Sequence, residues 1–205
     1  MVLFELYETE NHPVYQNLAI SNGDRQFGFL QSLVAAALEA EQPFLSQTII
    51  KALNFHAIAC LHTSAGHYRP CEVHVGNHQP PAQYRVTDLM DSFVNVVNRS
   101  WETADPVGLA AYVLWRLNHI HPFINGNGRT ARAACYFVLC VKTGGWLPGD
   151  IVLPALLVQN RPELVVTLQH ADASLAHGAV DLAPLQQLIG RLLLQQLQTP
   201  DAAPK

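Results

Sequence analysis

Residues 121–129 read HPFINGNGR, and they place a histidine, two glycines one residue apart and an arginine within nine positions. The stretch lies between two apolar segments with helical periodicity, 106–120 and 129–143. Pro122 disfavours helical geometry at the residue before it, so the first helix is predicted to end just before His121. The second helix is predicted to begin at the last residue of the stretch. HPFINGNGR is therefore predicted to be a loop between two buried helices.

The residue types in this loop indicate a site for a phosphate group beside a base. Gly126 and Gly128 allow a ligand to approach the main chain, and the N–H groups at a helix start attract anions. Arg129 and Arg132 are one helical turn apart, so both are expected to lean toward the same anion. His121, with an ordinary pKa near 6.5, can accept a proton at neutral pH. The stretch thus predicts transfer of a phosphorus-containing group to a hydroxyl.

The rest of the chain predicts a single all-α domain over residues 1–198, with 199–205 as a flexible end. Ser46, Thr87 and Asp105 are the candidate N-caps, and Pro106 favours the first helical position. No repeat or linker interrupts the pattern. Helices are predicted over residues 27–41, 46–63, 86–102, 106–120 and 129–143, and in the tail over 156–171 and 182–197.

One segment departs from the helical pattern. Residues 66–81, GHYRPCEVHVGNHQPP, alternate in polarity between glycines and prolines. This pattern favours a short β-hairpin, or flap, over a helix.

The composition and short motifs of the chain exclude several classes of protein. The formal net charge is −4 and only 14% of residues are charged, which argues against nucleic acid as the main partner. No apolar run is long enough to span a membrane, and the N-terminal residues lack the features of a signal peptide. The four cysteines form no CxxC pair, which favours a reduced, cytoplasmic protein, or one delivered into another cell by a secretion system. A Walker A motif is excluded, because no GK[ST] follows the glycines.

Residues 121–132, HPFINGNGRTAR, resemble the H-x-F-x-[D/E]-G-N-G-R-x-x-R motif of Fic domains. The likeness extends to the flap, to the helix at 106–120 and to QNRPELVVTL at 159–168. It covers roughly residues 30–175. The resemblance implies a helical Fic fold with a short β-hairpin flap, and an enzyme that transfers AMP from ATP to a Ser, Thr or Tyr hydroxyl of a target protein.

The resemblance also implies a role for each motif residue. His121 is the implied general base, and Phe123 the anchor of the loop in the core. The implied ligands of the nucleotide phosphates are Asn125, Gly126, Asn127, Gly128, Arg129 and Arg132. The implied target-binding residues of the flap are Val73, His74, Val75, Gly76, Asn77 and His78. The implied cofactors are ATP as substrate with Mg²⁺ or Mn²⁺, and the implied partners are a protein substrate, a separate inhibitory protein and a second copy of the chain.

The sequence departs from the family pattern in three places. Asn125 stands where the family has a carboxylate that helps to hold Mg²⁺, so it is a weaker metal ligand. Leu164 and Val165 stand where a tyrosine pair often packs the nucleobase. The inhibitory pattern [ST]xxxE[GN] has no match, so either a separate partner inhibits the enzyme or the enzyme is not regulated in this way.

These departures leave two other functions open. One is a degenerate Fic domain that binds nucleotide or protein without turnover. The other is a Fic enzyme that transfers UMP, phosphocholine or phosphate.

Simpler interpretations remain for individual residues. His121 could cap its helix, the GNG stretch could be a plain tight turn, and Arg132 could be a surface charge. His119 lies two residues before His121, but HIH is not predicted to bind zinc, because no nearby Cys, Asp or Glu completes a ligand set.

Overall fold

A computed structural model describes residues 1–41, 44–76 and 78–198 of the chain. Asn77 of the flap and the predicted flexible end, 199–205, lie outside the described residues. The described residues form an all-α domain, as predicted. Its helices are α1 (Leu3–Tyr7), α2 (Pro13–Glu39), α3 (Gln47–Ile58), α4 (Val86–Arg99), α5 (Pro106–Ile120), α6 (Asn127–Lys142), α7 (Leu153–Gln159), α8 (Arg161–Ala176) and α9 (Ala183–Gln198).

Helix α6 is the centre of the core. Helices α2, α3, α5 and α7 all pack against it, and residues 133–141 are buried on every side of the helix. A helix that is apolar all round is stable only when neighbours cover each of its faces. The loop that precedes α6 is therefore carried by the most constrained element of the fold.

The ends of α5 agree with the sequence prediction. Asp105 caps the N-terminus by accepting a hydrogen bond from the N–H of Gly108 at 2.7 Å, and Pro106 is the first helical residue. At the other end His121 takes the left-handed conformation, with φ of 50°. Pro122 thus stops the helix where predicted, and α5 delivers His121 to the loop.

Helix α2 is longer than predicted. The predicted helix at 27–41 begins at Pro13 instead, after a cap in which the His12 ring accepts from the N–H of Val14. Asn22 and Gln26, one turn apart, are buried and donate side-chain hydrogen bonds to backbone carbonyls at the C-terminal half of α3. These polar residues face a neighbouring helix, so their burial could not be inferred from an apolar repeat.

Two other predicted boundaries need correction. Ser46 is the N-cap of α3 as predicted, but the helix ends at Ile58 and not at residue 63, and Cys60 is left-handed with φ of 63°. Thr87 is not an N-cap, because α4 already begins at Val86, directly after a 3-10 turn over Gln83–Arg85.

The flap is non-helical over the residues that the structure describes, as predicted, but its β-pairing is limited to one bridge. A single antiparallel bridge joins Val75 and His78, with Gly76 at φ of 54° between them, and no strand forms. Side-chain hydrogen bonds, described with the site below, hold the flap where a ladder of backbone hydrogen bonds was predicted. No described helix is long and apolar enough to cross a membrane.

Candidate active site

A cavity of about 650 Å³ opens where α5, the 121–126 loop, the start of α6, the flap and α8 meet. It brings together most of the residues that the sequence singled out. Val73 does not line it, and Asn77 lies outside the described residues. The predicted site residues that line the cavity are His121, Asn125, Gly126, Asn127, Gly128, Arg129 and Arg132, with His74, Val75, Gly76 and His78 from the flap.

The N-terminus of α6 points its free amides toward this cavity. The helix begins at Asn127, two residues before the predicted start, with Gly126 as N-cap at φ of 76°. No side chain caps this end, so the first N–H groups of the helix lack a capping acceptor. An anion bound here would gain their hydrogen bonds and the favourable end of the helix dipole.

The side chain of Asn127 holds the 121–126 loop in its conformation. Its side-chain Oδ1 accepts from the N–H of Phe123 at 2.9 Å, and its Nδ2 donates to the carbonyl of Phe123 at 2.8 Å. The residue is 3% exposed, so its amide serves the loop and leaves only the backbone N–H for a ligand. Phe123 itself is fully buried, which confirms its predicted role as anchor.

The two motif arginines differ in their contacts. Arg129 donates through Nη1 to the carbonyl of Ala57 at 2.8 Å and through Nη2 to Oδ1 of Asn125 at 3.3 Å. Arg132 has no hydrogen-bond acceptor or ion-pair partner among the described residues. Burial lowers the pKa of Arg132 to about 10, and the positive charges of Arg129 and Arg161 lower it further. Arg132 remains a cation at neutral pH and is a charge in the cavity that no described residue compensates.

The His121 imidazole is neutral at the mouth of this cavity. Burial lowers its pKa to about 4, against a contribution in the other direction from the backbone carbonyl of Asn118, and His78 and Arg69 lower the pKa further. Its Nδ1 lies 3.4 Å from that carbonyl. The value lies well below the 6.5 assumed from sequence, so the unprotonated form prevails well below pH 7.

Arg69 holds the backbone of His121 and was not singled out from the sequence. It is 1% exposed, and its Nε donates to the carbonyl of His121 at 2.9 Å. Its Nη1 donates to the carbonyl of Cys71 at 3.0 Å, and its Nη2 donates to the carbonyl of Pro81. One guanidinium thus ties both ends of the flap to the residue at the mouth. No pattern around HYRPCE signals this role.

Asn125 is engaged by two charged residues. Its Nδ2 donates to Oε1 of Glu10 at 2.9 Å, while its Oδ1 accepts from Arg129. Glu10 also lies 3.2 Å from Nε2 of His62. The segment before α2 therefore reaches the motif, a contact between residues 115 positions apart.

Beside the loop, two histidines converge on one carboxylate. Nδ1 of His119 lies 2.7 Å from Oδ1 of Asp172, and Nδ1 of His78 lies 3.3 Å from Oδ2. The indole N–H of Trp115 donates to the same Oδ1 at 2.9 Å. The expectation that no acid accompanies His119 is wrong, because α8 brings Asp172 to it from 53 positions away.

Residues 44–139, just under half of the 205-residue chain, match the family model described as the Fic/DOC family. This part of the chain is therefore similar to the Fic/DOC family. The protein adenylyltransferase Fic of Drosophila persimilis is 44% identical over 68 residues, which are 33% of this chain and 13% of that protein. The match therefore spans a small part of the curated relatives' length.

Two solved structures have the same fold as this chain. Fic-1 from C. elegans aligns with a TM-score of 0.73 and 22% identity over 95% of this chain and 55% of that chain. A Fic domain containing signaling protein from Bacteroides thetaiotaomicron aligns with a TM-score of 0.72 and 20% identity, over 95% and 75% of the two chains. At these identities the likeness establishes the fold.

Replacing Gly126 with alanine is expected to destabilise the chain by about 2 kcal/mol, because an alanine there has a left-handed backbone and a crowded Cβ. That Cβ would lie 2.6 Å from Cγ2 of Ile58 and 3.1 Å from Nδ2 of Asn54. Urea unfolding measures the change. Gly128→Ala is the matched control, since its Cβ would meet only the flexible Nη1 of Arg132, at 3.2 Å. Equal stability of the two variants would contradict this account.

The stability of the folded chain is expected to depend on pH through His121. Its pKa is about 4 in the folded chain and near 6.5 in the unfolded chain, so below pH 6.5 the unfolded chain binds more protons. The free energy of unfolding should therefore fall as the pH drops from 6.5 toward 4, by about 1 kcal/mol between about pH 7 and 5.5. Urea unfolding of wild type and His121→Asn in chelator-containing buffer isolates this contribution. A stability difference between the two proteins that stays constant with pH would contradict it.

Proposed function

We propose that this chain is a protein adenylyltransferase that transfers AMP from ATP to a Ser, Thr or Tyr hydroxyl of a target protein. The observation that carries the proposal is a neutral imidazole and an uncompensated guanidinium in one cavity. His121 supplies a lone pair for a proton, and Arg132 supplies positive charge for phosphate. The curated relatives that match the chain are named for this activity, which supports the same assignment.

In the proposed step, the target hydroxyl oxygen bonds to the α-phosphorus of ATP. The bond from that phosphorus to the oxygen bridging the β-phosphate breaks, and pyrophosphate leaves. The hydroxyl proton passes to Nε2 of His121. A proton on Nδ1 faces the carbonyl of Asn118, which leaves the Nε2 lone pair as the acceptor. A bound polyanion favours the cationic imidazole and so makes His121 a stronger base than it is in the free protein.

The phosphates are proposed to lie at the start of α6. The free backbone N–H groups there, at Gly126, Asn127 and Gly128, suit the oxygens around the α-phosphorus. Arg132 suits the outer phosphates, because none of the described residues compensates its charge. Arg129 contributes its charge more than its hydrogen bonds, since two of its nitrogens already donate to protein acceptors.

The nucleobase is proposed to lie against an aliphatic wall. Leu157, Leu164, Val165 and Leu168 line the same cavity. Aliphatic side chains can cover the face of a purine, but they provide no stacking ring. Selectivity for adenine over other bases is therefore expected to be weak.

The flap is proposed to hold the target segment over the cavity. Val75 and His78 form the bridge, and His74, Val75, Gly76 and His78 line the opening. An extended target segment could pair with this backbone, which would present its hydroxyl to His121. Val73 and Asn77 are included among the proposed target-binding residues on the basis of the sequence alone.

The residues present do not fit a magnesium ion held by the protein. Asn125 has no charge, and its amide oxygen accepts from Arg129. Among the described residues that line the cavity, Asp172 is the sole carboxylate, and two histidines and Trp115 surround it. Mg²⁺ or Mn²⁺ as a cofactor stays a prediction from the resemblance, and no step above is routed through it.

Intact-mass spectrometry tests the proposal. The purified chain is incubated with ATP and Mg²⁺ or Mn²⁺, with and without candidate acceptor proteins. We expect the mass of one AMP moiety on an acceptor or on the chain itself, with release of pyrophosphate. An adduct of another mass would assign another transferred group, such as UMP from UTP or phosphocholine, and would contradict the proposal.

Asn125→Asp separates the enzyme from the second candidate, a Fic domain that binds nucleotide without turnover. The engagement of Asn125 by Arg129 favours this second candidate. If the chain is an enzyme, wild type should already label acceptors, and the carboxylate should raise the metal-dependent rate by about 10-fold, because it adds a charge that attracts the cation. Labelling that appears only in Asn125→Asp would assign a binding role to the natural chain. The cytoplasmic location, the homodimer and the separate inhibitor stay predictions.

A further inference from the structure

Three parts of the chain meet at the cluster of His78, His119 and Asp172. His78 belongs to the flap, His119 to the last turn of α5 and Asp172 to α8. One ligand atom from each lies within 4.8 Å of the others, and all three side chains are partly accessible, at 20%, 18% and 26% exposed. The proposed adenylyl transfer assigns none of these atoms a role.

The hydrogen bonds of His78 leave an unusual gap. Its Nε2 lies 2.9 Å from the carbonyl oxygen of His119, an atom that can only accept, so Nε2 carries a proton. In the neutral imidazole its Nδ1 then carries no proton, and it lies 3.3 Å from Oδ2 of Asp172 at an ion-pair distance. A cation between these two atoms, either a second ring proton or a metal ion, would relieve the repulsion between the nitrogen lone pair and the carboxylate.

We propose that His78, His119 and Asp172 bind one divalent transition-metal ion of the zinc class, which ties the flap to α5 and α8. Two imidazole nitrogens and one carboxylate oxygen form a ligand set that suits Zn²⁺ and related ions, whereas Mg²⁺ and Ca²⁺ prefer oxygen ligands alone. The side of the cluster that lines the cavity leaves room for a fourth ligand, such as water.

The distances and the surrounding hydrogen bonds suit this ion. Metal bonds of about 2.0–2.2 Å place neighbouring ligand atoms roughly 3.3 Å apart in a tetrahedral site. The His78–Asp172 pair already has this separation, and the His119–Asp172 pair at 2.7 Å needs only a small movement. Metal-bound histidines usually donate their other ring N–H to a carbonyl or carboxylate, as His78 does. Trp115 donates to Asp172 and fixes the orientation of the carboxylate.

The ion would fasten the flap. Among the described flap residues, the Val75–His78 bridge is the only β-bridge, so a metal bond to His78 adds an anchor where the ladder is minimal. Occupancy of the site would therefore set how freely the flap moves at the mouth of the cavity. The site does not depend on the proposed transfer reaction, because all three ligands come from the folded chain itself.

Metal titration without nucleotide tests the proposal. The untagged chain is stripped with a chelator and titrated with Co²⁺, followed by visible absorption, and then with Zn²⁺, followed by calorimetry. We expect one Co²⁺ per chain, displaced by Zn²⁺, and a rise in melting temperature with Zn²⁺ because the ion binds the folded state. His78→Ala and Asp172→Asn should weaken binding at least about 10-fold, the loss that even a residue orienting a ligand typically causes.

Two histidines outside the cluster provide matched controls. His74→Ala removes an exposed flap histidine, and His170→Ala removes an exposed histidine on α8. Both should bind Co²⁺ as wild type does. Failure of wild type to bind one equivalent would assign the gap to a proton and overturn the proposal, as would equal binding by wild type, His78→Ala and Asp172→Asn. Melting curves in chelator establish that each variant is folded before titration.

Discussion

Replacing His121 with alanine is expected to slow AMP transfer by about 10²–10⁴-fold, the usual contribution of a positioned general base. The reason is that the neutral imidazole of His121 is the group to which the proposed step passes the hydroxyl proton, and alanine has no such acceptor. The motif amides and Arg132 remain, so nucleotide binding should change little. Initial rates with ATP measure the first effect, and the shift in melting temperature with ATP measures the second.

Two control variants distinguish the loss of the base from a loss of folding. Alanine at φ of 50° is strained, whereas asparagine tolerates the left-handed conformation, so His121→Asn keeps the loop with less strain and also lacks the base. His170→Ala, an exposed change on α8, should transfer AMP at the wild-type rate. Transfer by His121→Asn at the rate of wild type would show that the imidazole is not the base.

Replacing Arg69 with methionine is expected to destabilise the chain by about 4 kcal/mol. The substitution removes hydrogen bonds to three backbone carbonyls, those of His121, Cys71 and Pro81, and bonds from a charged donor contribute about 1.5–3 kcal/mol each. Lysine should recover little of this loss, because an ammonium group cannot reproduce the planar fork of donors. Urea unfolding measures the change, and transfer activity should fall with it as the flap and His121 lose their common support.

A surface arginine provides the control for Arg69. Arg85→Ala removes an exposed arginine before α4 and should change the free energy of unfolding by no more than about 0.5 kcal/mol. A similar small change in Arg69→Met would mean that water replaces the guanidinium without cost. Because Arg69 is buried, such a small change in the free energy of unfolding would contradict the role assigned to its hydrogen bonds.

Local chemistry allowed much of the site to be predicted from the sequence. The boundaries of α5 follow from Asp105, Pro106 and Pro122, each of which acts on its immediate neighbours. The glycines and the arginine spacing placed the anion site at the start of α6. These features depend on backbone geometry within a few residues, so a single sequence is enough to infer them.

Contacts between distant residues could not be predicted in the same way. Asp172 meets His119 across 53 positions, Glu10 meets Asn125 across 115, and Arg69 meets His121 across 52. No periodicity connects such pairs, and none of these residues stands out where it occurs. The extent of strand pairing in the flap was overestimated for a related reason. Alternating polarity predicted a ladder of backbone hydrogen bonds, whereas buried side-chain hydrogen bonds hold the described flap residues.

The position of α6 has a consequence for how such a domain can diversify. The same helix forms the centre of the core and carries the phosphate cradle at its first turn, so most substitutions there disturb folding and chemistry together. The flap and the cavity-lining face of α8 border the same cavity, and of their residues there only Leu164 belongs to the buried core. New substrate preferences are therefore expected to arise from substitutions in the flap and in α8, while α6 stays unchanged.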